Sequence, residues 1–240
     1  MNSVGNKHIV LIMGKPNCGK STSLMNLANQ ERIAYLNTDC KQISFKSNMI
    51  ERYITNPNDV LSGISDIEQH PDIDMAVLDT LSFLMDQYEQ QYVLTSTNTQ
   101  KAWQDYAKFY KSFIHAIKSG TKDYVILAHS KDVLNEAEMT LETKIPIKGS
   151  VGHTGAEADF STILSAKKIS IKEADKHLND LLTISDDERE DGVKYVFQTR
   201  IDKDSIGEKI RSQIGLWNRN EKYINNDISL VFKRLHEYYA

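Results

Sequence analysis

The chain has 240 residues, 40% of them hydrophobic and 26% charged, with a formal net charge of −4. Such a chain can bury a full core, and its charge excludes a protein that coats nucleic acid by bulk positive potential. Its apolar runs have strand length, far short of the roughly 20 residues of a membrane span, and its first residues lack a signal peptide's pattern, so a cytoplasmic protein without a membrane partner is expected.

His8 to Met13 is a short β-branched apolar run that predicts the first strand. The loop after it, Gly14-Lys15-Pro16-Asn17-Cys18-Gly19-Lys20-Ser21, fits G-x-x-x-x-G-K-[ST] without a mismatch. Its glycines let consecutive backbone N–H groups converge on phosphate oxygens. Lys20 adds a point charge, and the Ser21 hydroxyl suits a magnesium ion bridging the phosphates. Leu24, Leu27 and Ala28 then predict a helix whose N-terminal end points at the anion. Two cysteines, Cys18 and Cys40, make neither a disulfide framework nor a metal site and read as space-filling residues.

Arg32 to Asn37 predicts a second strand, Asn58 to Glu68 a helix stopped by His70-Pro71, and Asp74 to Leu78 a third strand that delivers Asp79 and Thr80. Asp86 to Gln100 is polar and weakly periodic, which predicts a loop. Trp103, Tyr106, Tyr110, Phe113, Ile114 and Ile117 share one helical face ending at Gly120, and Tyr124 to Ala128 is a strand that delivers His129 and Ser130. Lys131 to Asp159 shows no convincing strand and includes the glycine-rich piece KIPIKGSVGHTG. Two more strands are expected, Ser161 to Ile171 and Lys194 to Thr199, separated by a helical stretch and a solvated charged loop, SDDERED; Asp227 to Tyr239 predicts a closing helix. Neither a repeat nor a linker divides the chain. One α/β domain, residues 1–240, is therefore expected, with a nucleotide-binding core at 1–130, a long glycine-containing loop at 131–159, and C-terminal strands and helix at 160–240.

Asp79, ending an apolar strand, fits the carboxylate that holds magnesium with Ser21. Thr80 follows it where a water-activating glutamate could stand, so Asp39, at the tip of the second strand, is the candidate to orient the attacking water. His129 is placed to sense the γ-phosphate. Arg200 and Lys203 leave the predicted last strand, where they could reach a neighbouring subunit's phosphates. Lys144, Lys148 and His153 lie in a glycine-containing stretch suited to a nucleic-acid backbone, although Asp132, Glu136, Glu138 and Glu142 precede it; Tyr88 and Tyr92 could stack bases, whereas Trp103 reads as core.

The order of GKPNCGKST (Gly14 to Thr22), the strand ending in Thr38-Asp39, MAVLDTLS, WQDYAKFYKSFIHAIKSGTKDYVILAHS and TRIDKDSIGEKIR resembles the RecA-like P-loop ATPases. Within them it resembles the small phage-encoded, core-only proteins of recombination and single-strand annealing. The resemblance implies a largely parallel sheet flanked by helices, ATP and Mg2+ as cofactors with Gly14 to Thr22 holding the nucleotide, single-stranded DNA as partner, and assembly into a ring or filament. A single-strand-binding protein is a further expected partner, and the host cytoplasm the expected compartment. It places Asp39 where relatives often have a glutamate, and the stretches after Asp86 and Lys131 where they have DNA-binding loops. The alternatives are a small-molecule kinase, against which stands the absence of arginine from Lys131 to Asp159, and an annealing module that holds ATP only as a structural ligand.

Overall fold

The computed structural model describes residues 5–136 and 139–240. Its centre is β1, Ile9–Gly14, buried along its whole length. Around it lie β2 (Ile33–Asn37), β3 (Ile50–Tyr53), β4 (Met75–Asp79), β5 (Asp123–His129), β8 (Thr162–Ser170), β9 (Val193–Gln198) and β10 (Tyr223–Asn225), in the order β10-β9-β8-β1-β5-β4-β2-β3. The strands from β8 to β3 run parallel, and β9 and β10 add an antiparallel edge. A hairpin of β6 (Lys131–Asn135) and β7 (Thr140–Lys144) stands outside this sheet.

Alternate residues of β1 face opposite layers. Leu11 and Met13 pack with α1 (Asp59–Gln69), α2 (Leu81–Tyr88) and α3 (Thr99–Ser119) on one face. Val10 and Ile12 pack on the other, with Ile228, Val231, Phe232 and Leu235 of α7 (Ile228–Tyr239). That i, i+3, i+4, i+7 stripe has an Asp227 cap and buries four large side chains, which contribute roughly 1.5–3 kcal/mol each before entropy is charged. Because the central strands are covered on both faces, they read as continuous apolar runs. Their carboxyl ends share one edge, where the chain leaves β1 toward β2 on one side and leaves β5 toward β8 on the other. Among the described residues, no helix is long and apolar enough to cross a membrane.

Several expectations need correction. The stretch after the phosphate loop is a four-residue 3-10 turn, Ser21–Leu24, instead of an α-helix, and Ala28 is exposed. Between that turn and β2, Asn29 takes a left-handed conformation.

Residues 86–100 are mostly helical. Leu81, Leu84, Met85 and Tyr88 form the buried stripe of α2, Thr80 caps it by accepting the Phe83 amide at 3.3 Å, and a π-helical turn, Glu89–Val93, continues it. The polarity there serves hydrogen bonding: Gln87 donates to Thr38 O and Ile54 O at 2.7 and 3.0 Å, and Gln91 to Thr55 O at 2.7 Å. Tyr88 is core, stacked on Phe109 with ring centroids 4.5 Å apart. Residues 131–159 hold the hairpin, a short helix α4 (Gly149–Thr154) and a 3-10 turn; Glu138 lies outside the described residues. The acidic SDDERED is not a loop: it forms α6 (Asp186–Asp191), after the short helix α5 (Ile171–Ala174), and starts in a capping box between Ser185 and Glu188. The sheet's last strand is β10, not the strand ending at Thr199.

Candidate nucleotide-binding and hydrolysis site

The phosphate loop leaves β1 at Gly14. A Cβ there would collide with Cys18 Sγ and lie 2.8 Å from Ala166 O, so only glycine lets the loop fold against β8. Gly19, at φ +86°, turns the chain into Lys20, and Asn226 Nδ2 pins the turn by donating to Gly19 O at 2.8 Å. Lys20 is 6% exposed, not the exposed loop residue its motif suggests. Its Nζ donates to Gly14 O and Lys15 O, both at 2.9 Å, and lies 3.4 Å from His129 Nδ1. Burial lowers the Lys20 ammonium below its ordinary value, partly offset by Cys18 and Asp79. Burial, and then the Lys20 charge, likewise push His129 down, which favours neutral imidazole. Cys18 is buried, and burial raises its thiol, consistent with a packing role.

Asp79 completes this centre from the end of β4. Its Oδ2 accepts from Ser21 Oγ at 2.7 Å and from Tyr35 Oη at 2.5 Å. Burial and the neighbouring carboxylate raise the Tyr35 hydroxyl far above a free phenol, which keeps it a donor. Tyr35 was not singled out from the sequence, although its place two residues before Asn37, whose register partner is Asp79, sets both on one face of β2. The peptide joining Asp79 to Thr80 is cis. Asp39 reaches the same cleft, with its carboxylate 3.0 Å from Lys41 Nζ.

Lys20, Ser21, Thr22, Tyr35, Asp39, Asp79 and His129 thus line one cleft of about 370 Å³ at the carboxyl edge of the sheet. Its volume falls in the range of small-molecule sites. Ser21 and Asp79 bring two hard oxygen donors side by side, a set that fits magnesium, and the glycine-shaped loop fits phosphate. Such an ion, when bound, would neutralise phosphate charge.

The other candidates lie apart from this cleft. Arg200 is exposed and donates to Trp217 O at 3.0 Å, and Lys203 is exposed. Lys144 pairs with Glu142 at 3.1 Å and Lys148 with the buried Glu89 at 2.7 Å, while His153 is exposed on α4. Lys15 points to the hairpin, pairing with Asp132 at 2.6 Å.

A family model described as an AAA domain matches residues 6–166, about two thirds of the chain. The chain belongs to that AAA family. The matched AAA region runs from the approach to β1 into β8 and includes the phosphate loop, Asp39, Asp79 and His129, whereas Arg200 and Lys203 lie beyond it. No curated protein matches the sequence. Among solved structures, the AAA protein is similar to a KaiC-like protein from the hyperthermophilic archaeon Pyrococcus horikoshii, with 9% identity and a TM-score of 0.47 over 84% of this chain and 82% of that one.

Proposed function

We propose that this AAA-family protein is a magnesium-dependent ATP hydrolase of the RecA-like class that acts on single-stranded DNA as a homo-oligomer, in phage DNA recombination, annealing or repair. The observation that supports the hydrolase reading is the convergence of Lys20, Ser21 and Asp79 with Asp39 and His129 on one cleft. In this reading Lys20 neutralises the transferred phosphoryl group, Asp39 orients the attacking water, and Tyr35 holds the Asp79 carboxylate in place. Neutral His129, whose Nδ1 faces the Lys20 ammonium, keeps Nε2–H to donate to a γ-phosphate oxygen.

Support for DNA coupling comes from the Lys15–Asp132 pair, which ties the phosphate loop to the hairpin that begins directly after His129 and Ser130. A γ-phosphate drawing Lys15 away would loosen that tie. Lys144, Lys148 and His153 are the nearest candidates for a DNA backbone, and Lys144 and Lys148 would exchange their carboxylate partners for phosphates. A ring or filament would bring Arg200 and Lys203 of one subunit to the cleft of the next. A single-strand-binding protein is a natural further partner for such an assembly.

The test is phosphate release from Mg-ATP with and without single-stranded DNA. Release stimulated by DNA supports the whole reading. Release indifferent to DNA removes the DNA partner, and no release at all leaves a binding module with nucleotide as a structural ligand.

A further inference from the structure

At the amino-terminal edge of the sheet, one strand length from the phosphate loop, three residues from distant parts of the chain meet. His8 immediately precedes β1, Asp123 opens β5, and His236 lies in the last turns of α7. We propose that His8, Asp123 and His236 form a binding site for a divalent transition metal of the zinc class.

The geometry carries this. Asp123 Oδ1 lies 3.2 Å from both His8 Nδ1 and His236 Nε2, and Oδ2 lies 2.9 Å from His236 Nε2. One ligand atom from each residue can be chosen so that all three fall within 4.8 Å of one another. Two donors bound tetrahedrally at about 2.0–2.1 Å from zinc are roughly 3.3–3.4 Å apart, so these separations need only small side-chain shifts to take an ion. Imidazole and carboxylate form a donor set for zinc and its neighbours in the first transition row, while magnesium and calcium prefer oxygen alone.

The surroundings agree. The His8 and His236 rings meet edge to face, with centroids 4.6 Å apart, beside the carboxylate that both contact. Without an ion, His8 Nδ1 carries a proton that it donates to Asp123 Oδ1, and an ion taking that position would displace the proton. The nearby cation Lys7 is drawn aside over the Tyr239 ring, 4.9 Å from its centroid. The backbones beneath the site are well held: Tyr124 N donates to His8 O at 2.9 Å, and α7 is anchored by its buried stripe. An ion here would join the start of β1 to the end of the chain's last helix, closing nearly the whole sequence into one loop. Three protein ligands leave at least one coordination position to water.

Tag-free full-length protein, stripped with chelator and exchanged into metal-free buffer, is titrated with Co(II) and with Zn(II). One equivalent of Co(II) should produce visible d–d bands that Zn(II) displaces, and Zn(II) should raise the melting temperature. His236→Ala, at a half-exposed position, and Asp123→Asn should each weaken binding at least tenfold. His115→Ala, an exposed histidine outside the cluster, should leave it unchanged. The proposal is overturned if wild-type protein binds no equivalent, or if His236→Ala binds as tightly as wild type. Because wild-type titration alone can refute the site, misfolding of a variant does not protect it, and none of these readouts depends on nucleotide hydrolysis.

Discussion

Replacing Lys20 separates its charge from its packing. Its Nζ donates to two carbonyls at 2.9 Å, but Gly14 O also accepts the Ser130 amide at 3.1 Å, so Lys15 O is the acceptor that depends on it more. Losing one hydrogen bond from a charged donor costs about 1.5–3 kcal/mol, and relief of the buried ammonium's desolvation offsets part of that. Lys20→Met keeps an unbranched stem in the buried space and should destabilise the fold by less than about 2 kcal/mol. Lys20→Ala also opens a cavity and should cost about 2–4 kcal/mol. Both variants lose the cation beside the phosphates, and turnover should fall by about 100- to 1000-fold, the scale of a lost transition-state donor. Urea unfolding measures the first pair of values, and phosphate release at saturating Mg-ATP the second. The reasoning fails if Lys20→Met retains wild-type turnover, or if the two variants unfold at the same urea concentration.

Asp39→Asn should bind ATP nearly normally while turnover drops about a hundredfold, as for a lost general base; unchanged turnover would make Asp39 only the partner of Lys41. If Arg200 acts across a subunit boundary, turnover per chain should rise with protein concentration, and mixing Lys20→Ala with Arg200→Ala chains should restore some activity; neither effect would leave Arg200 as a local donor to Trp217 O. Asn135, Lys209 and Lys144 hold Glu142 at about 2, below its ordinary 4.5, so its contribution to the hairpin is fully present above pH 4.5 and lost as pH falls from there through about 2. Protection of the hairpin amides, measured as exchange relative to the intrinsic rate at each pH, should fall over that window in wild type and stay flat in Glu142→Gln; matching protection profiles would exclude Glu142 as the cause.

The sequence carried the parallel core and the nucleotide cleft because both rest on local signals. The buried runs of β1, β2, β4 and β5 stand out, and Gly14 to Ser21 declares its chemistry by spacing alone. What stayed hidden depends on distant partners. Strand β3 exposes every residue and offers no buried face to recognise, and β10 is three residues long. The hairpin lacks apolar alternation because it stands outside the main sheet; its stability comes from pairing and from contacts such as Thr143 N to Gly207 O at 2.9 Å. The glutamines of 86–100 suggest a loop until their carbonyl partners across the fold are known, while the stripe from Leu81 to Tyr88 was legible and was masked by that polarity. Tyr35 and Asn226 belong to the site through single long-range hydrogen bonds, which spacing does not reveal.

The short turn after the phosphate loop has a consequence for how tightly an anion is gripped. A full helix would aim aligned peptide dipoles worth about half a unit charge at the phosphates, and four residues of 3-10 turn accumulate far less. Attraction at this cleft therefore rests on loop amides and on discrete ions, with Lys20 foremost among the side chains. Because mobile ions screen discrete charges, nucleotide residence time here should shorten as ionic strength rises and lengthen with added magnesium.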